Sequence, residues 1–311
     1  MKKKFEIILN PIAGKGNAAK NIPIINDFLQ RQKANYKIHI TKKVGHAIAL
    51  AKEFTLKQDT LIVAAGGDGT SNEVINGIMR SKTIPSNLKP VLGVLPIGRG
   101  NDFAYGANIP TDLKESLQVL LEGEDQPMDV GLVKGGDYPD GRFFGNGIGV
   151  GFDTIVGLEA AKMKHIHGAF AYLLGALKTL IIYPPAPTIE LSFDDLIQNV
   201  TPAMISIMNG RRMGGAFFMA PNARNNDGIL NLCYTLQGKR GELLKSMIYY
   251  MKGTQHTLPN TTTAQSSAFT LRAVNGSMAV HADGETICKE GKYLEINCLH
   301  HAIQIICRKK I

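Results

Sequence analysis

The first third of the chain alternates short apolar runs with longer stretches of helical period. Apolar runs occupy Phe5–Asn10, Tyr36–Thr41, Thr60–Ala65 and Val91–Pro96, with helix-like stretches between them near Ala18–Lys33, His46–Phe54 and Ser71–Arg80. A strand that is apolar throughout needs cover on both faces, and strands separated by helices pair in parallel. The expectation is an α/β domain with a parallel sheet over residues 1–130. In such sheets the ligand sits outside the carboxyl ends of the strands, and here glycine-rich segments follow those ends.

After Met128 the texture changes. Strand candidates crowd together at Phe143–Phe152, Thr188–Phe193, Ala203–Asn209, Ile229–Thr235, Ala268–Ala273, Met278–Ala282, Tyr293–Leu299 and Ala302–Arg308, punctuated by Gly, Pro and Asn. Helical patterns remain only at Thr154–Lys164, Ala169–Ile182 and Gly241–Lys252, and Asn260–Ser267 reads as a polar loop. This predicts a mostly antiparallel β-sandwich domain over residues 131–311, with a tail of about residues 300–311 packing back on the first domain.

Composition narrows the class. At 311 residues, 44% hydrophobic and 20% charged, the chain suits a globular protein of two domains. Lys and Arg outnumber Asp and Glu by 35 to 26, a net charge of +9, which favours anionic partners without choosing among them. The basic residues are dispersed and no aromatic-basic motif accompanies them, so nucleic acid is not expected. Cys233, Cys288, Cys298 and Cys307 lack metal-ligand spacing and read as reduced cytoplasmic thiols. The amino terminus has no apolar signal core, and the most apolar stretch, Gly168–Ile182, contains Lys178. It also falls short of the ~20 residues that a span requires.

The chemistry concentrates in three loops. Leu61–Ala65 delivers Gly66-Gly67-Asp68-Gly69-Thr70 ahead of a helix. Glycines let backbone N–H groups approach a phosphate, and the helix start adds partial positive charge. An aspartate there can hold a metal-bound triphosphate or accept a proton from an attacking hydroxyl. Thr70-Ser71-Asn72-Glu73 fits a capping box, with Glu73 reaching back to the helix start. Asn10-Pro11-Ile12-Ala13-Gly14 follows the first strand and Gly98-Arg99-Gly100-Asn101-Asp102 the fourth. Neither is a Walker loop, but three loops of one character at one sheet edge form the walls of a nucleotide site. Far along the chain, His281-Ala282-Asp283-Gly284-Glu285 reads by spacing as a hairpin turn.

These segments together resemble, in order, the motifs of the soluble lipid kinases: bacterial diacylglycerol kinases, the catalytic domains of eukaryotic ones, sphingosine kinases and ceramide kinase. Met128-Asp129-Val130-Gly131, Phe144–Phe152 and Asn209-Gly210 through Gly214-Gly215 to Pro221 and Asp227-Gly228 extend the resemblance over nearly the whole chain. It implies Mg·ATP as phosphoryl donor, a cleft between the two domains, and a lipid acceptor, most naturally diacylglycerol giving phosphatidic acid. Asp68 is then base or metal-network acid, with Asp102, Asp129 and Glu285 completing a magnesium network partly through water. Asn10, Pro11, Gly14, Gly66, Gly67, Gly69, Thr70, Gly98, Arg99, Gly100 and Asn101 would line the nucleotide.

Two departures stand out. The family usually carries Thr or Ser where this chain has Arg99, whose guanidinium can bind phosphate oxygens or point to solvent. Asn225-Asn226-Asp227 stands where bacterial relatives often carry more acid for a structural magnesium, so Asp227 is a weaker metal candidate. Lys162, Lys164, His165 and His167 precede the apolar stretch, compatible with an interfacial helix or with a core helix. A peripheral site at the inner membrane face is expected, and the bacterial relatives suggest a homodimer. The Gly66–Thr70 loop alone is shared with NAD kinases, so an NAD kinase-like or other small-molecule kinase is one alternative. A non-catalytic nucleotide- or lipid-binding regulator is another.

Overall fold

In the computed structural model, which describes residues 4–57, 59–81, 90–161, 169–182 and 185–309, the chain divides into two compact units. One comprises Met1–Asp129 with His301–Ile311, the other Val130–His300.

The first unit alternates β1 (Lys4–Leu9), α1 (Asn17–Arg31), β2 (Tyr36–Ile40), α2 (His46–Phe54), β3 (Thr60–Gly66), α3 (Asp68–Met79) and β4 (Val91–Pro96), then α4 (Asp102–Gly106) and α5 (Leu113–Glu122). Strand residues point alternately to the two faces of the sheet. Phe5, Ile7, Leu9, Leu61, Val63 and Ala65 share one core with Ala18, Ile25 and Leu29 of α1 and Leu117 and Leu120 of α5. On the intervening positions α2 and α3 pack against β1 and β3. Both faces are therefore dry, which is why β3 is buried from Leu61 to Gly66.

The strands pair in parallel in the order β2-β1-β3-β4. Because β1 lies between β2 and β3, successive connections leave it on opposite sides, and the strand order reverses at β1/β3. That crevice is where sheets of this type bind ligands. Register sets the strand ends level, with Leu9 opposite both Ile40 and Ala65 and Gly66 opposite Pro96. At the far edge the end of the chain's last strand lies parallel to β4, Gln304 against Val91 and Ile305 against Leu92. Cys307 Sγ donates to the Ala107 carbonyl and Arg308 pairs with Glu115, tying the tail to this unit.

β5 (Glu124–Gly135) carries the chain out of the first unit. The second contains β6 (Tyr138–Phe144), β7 (Gly147–Gly151), α6 (Phe152–Ala161), α7 (Ala169–Ile182), β8 (Thr188–Phe193), β9 (Leu196–Val200), β10 (Pro202–Met208) and β11 (Leu230–Leu236). α8 (Arg240–Lys252), β12 (Thr261–Ser266), β13 (Ala268–Asn275), β14 (Met278–Ala282), β15 (Glu285–Gly291) and the part of β16 (Tyr293–Cys307) up to His300 complete it. One antiparallel sheet runs β12-β11-β10-β7-β14-β15, and antiparallel β16-β13-β8-β9 forms the facing layer. Ile205, Ile207, Leu232 and Val280 from the first sheet meet Leu191, Phe269, Leu271 and Ile296 from the second in one sandwich core. The alternate residues of β10, Met204 and Met208, join a separate core with Leu243, Met247 and Tyr250 of α8. A sheet covered by strands on one side and a helix on the other explains why β10 is buried at all seven positions.

Several details differ from the sequence reading, among them β5, β9, β15 and α4, which it did not predict. Phe143–Phe152 is not one strand: it breaks at Gly145-Asn146 between β6 and β7 and ends in the first residue of α6. Tyr293–Leu299 and Ala302–Arg308 are a single strand, β16, that absorbs His301 at φ 49°. Asn260–Ser267 is mostly strand: β12 pairs with β11 from Thr261 opposite Thr235 to Ser266 opposite Leu230. Its threonines are β-branched and suit a pleated surface, and polarity hid the strand. The short α5, with Asp112 accepting from Lys114 and Glu115 N–H groups as its cap, was also not predicted.

Where α8 meets β11, burial pushes the Cys233 thiol up to about 11, with its hydrogen bond to Tyr250 a smaller opposing influence. Cys233 Sγ lies 3.2 Å from Tyr250 Oη, and Tyr250 is itself held well above its ordinary value, chiefly by burial. A group that holds its proton more tightly when folded stabilises the fold below its unfolded value and loses that stabilisation as pH rises to the folded one. Stability toward denaturant should therefore fall between pH 9.0 and about 11, and less so in Cys233→Ser. Denaturant titrations across that window check this.

Candidate active site

The three glycine-rich loops converge at the carboxyl edge of the parallel sheet. Asn10 leaves β1 with Oδ1 accepting from Ile12 N–H and Nδ2 donating to Thr70 Oγ1, each at 3.3 Å. Pro11 follows, and Gly14 sits at φ 57°, where a β-carbon would lie 2.5 Å from the Ile97 carbonyl oxygen. The first loop therefore touches the third through bare backbone. Gly66 ends β3 and Gly67 precedes α3, whose first turn holds Asp68, Gly69 and Thr70. A β-carbon on Gly98 would stand 2.3 Å from Gly67 Cα. Side chains at these positions would hold the strands' ends apart, so the glycines are required by close approach as well as by turning.

Asn101 shapes the third loop. At φ 52°, its Oδ1 accepts from Gly98 N–H at 2.9 Å while Nδ2 donates to the carbonyls of Pro96 and Gly98. Its amide is thus spent on the loop backbone; Arg99 beside it is exposed. Asp68 Oδ1 accepts from Phe103 N–H at 2.9 Å, in the first turn of α4. The second and third loops are latched by this bond.

The acids Asp68 and Asp102 turn toward one point. A β-carbon built on Gly100 would lie 3.0 Å from Asp68 Oδ2 and 3.4 Å from Asp102 Oδ2. Carboxylates gathered around one glycine repel unless a cation offsets them, and this pair fits a hydrated divalent ion. Among the described residues Asp68, Asp102 and Asp129 do not form a trio whose oxygens lie within 4.8 Å of one another, so shared ligation through water suits them better than a closed cage. Asp129 is fully buried, with Oδ1 accepting from His301 N–H at 2.7 Å. It braces the irregular residue of β16.

Glu73 corrects an expectation. Its carboxylate does not reach back along α3, which starts earlier, at Asp68. It caps the neighbouring helix instead, accepting from Gly45 N–H at 2.8 Å and Ala47 N–H at 3.1 Å at the start of α2.

In the second unit, Asp283-Gly284 is the expected hairpin turn between β14 and β15, both residues at positive φ. The Asp283 carboxylate goes further than the turn requires. Oδ2 accepts from Gly145 N–H at 2.7 Å and Oδ1 from Asn146 and Gly147 N–H at 3.0 and 2.9 Å. It thus satisfies the break between β6 and β7. Behind the turn, His281 Nε2 lies 3.1 Å from Asp153 Oδ2, and His281 Nδ1 accepts from Gly284 N–H. Glu285 follows, half-exposed, with Arg142 Nη2 3.9 Å from Oε2. Asp283, Asp153 and His281 were missed as positioning groups. The Asp-Gly dipeptide signalled the turn, but nothing local signals partners at residues 145–147. Asp227 is exposed and its Oδ1 accepts from Ile229 N–H at 3.2 Å, a local turn; among the described residues no three ligating side chains gather there.

The basic entry Lys162, Lys164, His165 and His167 lies outside the described residues. Among those described, no helix is long and apolar enough to cross a membrane.

Two family models match successive stretches of the chain. Residues 4–133 match the diacylglycerol kinase catalytic domain family. Residues 146–307 match the YegS C-terminal NAD kinase beta sandwich-like domain family. A diacylglycerol kinase of Staphylococcus saprophyticus is 28% identical over 286 residues, 92% of this chain and 90% of that one. One from Bacillus subtilis is 29% identical over 253 residues, 81% and 80% of the two chains. Among solved structures, a diacylglycerol kinase from Bacillus anthracis superposes with a TM-score of 0.71 at 20% identity, covering 98% of this chain and 96% of that one. Yeast NADH kinase complexed with NADH gives 0.53 at 10% identity, covering 100% and 84%. These last two are likenesses of fold.

Proposed function

We propose, from the premise that the chain belongs to the soluble diacylglycerol kinase family of lipid kinases, that it transfers the γ-phosphate of ATP to the hydroxyl of diacylglycerol and releases phosphatidic acid. The observation that carries this reading is the latch of three glycine loops around Asp68 at the sheet's switch point. The glycine backbone around Gly67 and the start of α3 suit a chain of phosphates, while the Gly98 N–H is held by Asn101 Oδ1 and keeps the third loop in shape. Asp68 Oδ2 takes the proton of the attacking hydroxyl, its position set because Oδ1 is engaged by Phe103 N–H. Asp68 and Asp102, with Asp129, are the acids that would hold magnesium through water, where it would offset triphosphate charge. Little covalent chemistry falls to the protein in such a transfer, so placement and charge supply the rate. Glu285, with Arg142 Nη2 3.9 Å from its carboxylate, is carried over from the family resemblance as a supporting acid.

The test is transfer of labelled γ-phosphate from ATP into a total lipid extract, with the labelled product identified. Labelled phosphatidic acid, enhanced by added diacylglycerol, is expected. Label in another lipid would move the acceptor, and label in NADP⁺ alone, in a parallel reaction supplied with NAD⁺, would favour the NAD kinase-like reading. Gly98→Ala probes the cradle separately. Its methyl group meets Gly67 Cα at 2.3 Å and Asn101 Oδ1 at 2.6 Å, so the second and third loops must part. ATP affinity measured by calorimetry should fall by about tenfold or more, with the second unit's unfolding unchanged.

A further inference from the structure

Helix α8 carries two apolar stripes, and the fold uses one of them. Leu243, Met247 and Tyr250 are buried in the core beneath it, which satisfies what a surface helix normally presents to a protein. Leu244, Ile248 and Met251 repeat the same one-turn spacing one residue further round, and they are 42%, 50% and 41% exposed. Single exposed leucines need no explanation; a second stripe of three on one helix does. The neighbouring helix α7 packs against α8, with Leu180 against the same core, and exposes Leu177 and Ile181, the latter at 71%.

Charge says what meets this stripe. Lys239, Arg240, Lys245 and Lys252 lie on or beside α8 and are all exposed. The helix's single acid, Glu242, is turned back to accept from Lys239 N–H at 2.9 Å. A second copy of the chain docking stripe to stripe would bring two such cationic rims together. An anionic lipid surface accepts both features, taking apolar side chains among its acyl chains and ammonium groups among its headgroups. We infer that the Leu244-Ile248-Met251 face of α8, with its rim of lysines and arginine, docks the protein on anionic bilayers. The choice of a bilayer rests on the lipid-kinase reading above; the stripe and its charge stand independently of it.

The experiment uses the full chain and vesicles of phosphatidylglycerol and phosphatidylcholine in equal parts, against phosphatidylcholine alone. Wild type should sediment with the anionic vesicles and only weakly with the neutral ones. Leu244→Ser/Ile248→Ser/Met251→Ser should lose at least about tenfold in vesicle affinity, and Lys245→Glu/Lys252→Glu a comparable amount in low salt. Both should melt as wild type does, since every altered side chain is exposed. Both should also phosphorylate a short-chain diacylglycerol dispersed in detergent micelles within about twofold of wild type. Wild type ignoring both vesicles, or the serine variant binding them undiminished, overturns the inference. So does a wild-type dimer that the serine substitutions split while vesicle binding persists, which would assign the face to a second copy. Absence of lipid phosphorylation in micelles by wild type would count against the kinase reading alone, because vesicle binding still reports on the face.

Discussion

Asp68→Asn should lower phosphoryl transfer by on the order of 10³-fold while leaving the first unit folded. Asparagine keeps an oxygen for Phe103 N–H, the bond that joins the second and third loops at 2.9 Å. It removes the basic oxygen that turns toward Gly100 and the charge that magnesium would balance. Asp68→Ala removes the latch as well and should cost about 1 kcal/mol of stability, the usual worth of a helix-cap acceptor. The two variants separate chemistry from scaffolding: equal loss of turnover with unequal stability is expected. If the asparagine variant kept turnover within a factor of about ten, Asp68 would be a cap for α4 and the proton would have to go elsewhere.

The largest loss of stability is expected from Asp283→Ala. Three backbone N–H groups, of Gly145, Asn146 and Gly147, lose a carboxylate at 2.7–3.0 Å. Asn146 is 4% exposed, so its neighbourhood is slow to admit replacement water. Hydrogen bonds to a charged group contribute roughly 1.5–3 kcal/mol each, and with partial rehydration the variant should lose about 4 kcal/mol. Equilibrium denaturation followed by a probe in the second unit measures this. Glu285→Gln, two residues on, should leave stability within about 0.5 kcal/mol, because Glu285 is 41% exposed and meets Arg142 only at 3.9 Å. Equal destabilisation by the two changes would refute this split of one Asp-Gly-Glu turn into a structural acid and a functional one.

Much of the first unit was legible because its signals are local. β4 and α2 occupy the predicted Val91–Pro96 and His46–Phe54, and the glycine loops fall where strands end. Asp68 could be singled out since three glycines around one acid after a buried strand have few other uses. The second unit was less legible where pattern and burial part company. β12, made of Thr, Ala, Gln and Ser, lies at a sheet edge where polar residues are tolerated, so no apolar alternation marked it. Glu73 was misread because a capping box is a local rule, while its actual partners lie on α2, 26 and 28 residues away.

By itself the order of residues determined the alternation of strand and helix, the glycine positions that let backbone come close, and the acids available for phosphoryl transfer. These follow from preferences acting within a few residues. Only the tertiary structure decided which carboxylate oxygens bind backbone and which turn toward Gly100. Asp283 and Glu73 are committed to N–H groups far along the chain, and Asp129 gives one oxygen to His301 N–H. A carboxylate has the same chemistry wherever it stands; its role is set by which donors the folded chain brings within 3 Å, and long-range pairing of strands, not local spacing, places those donors.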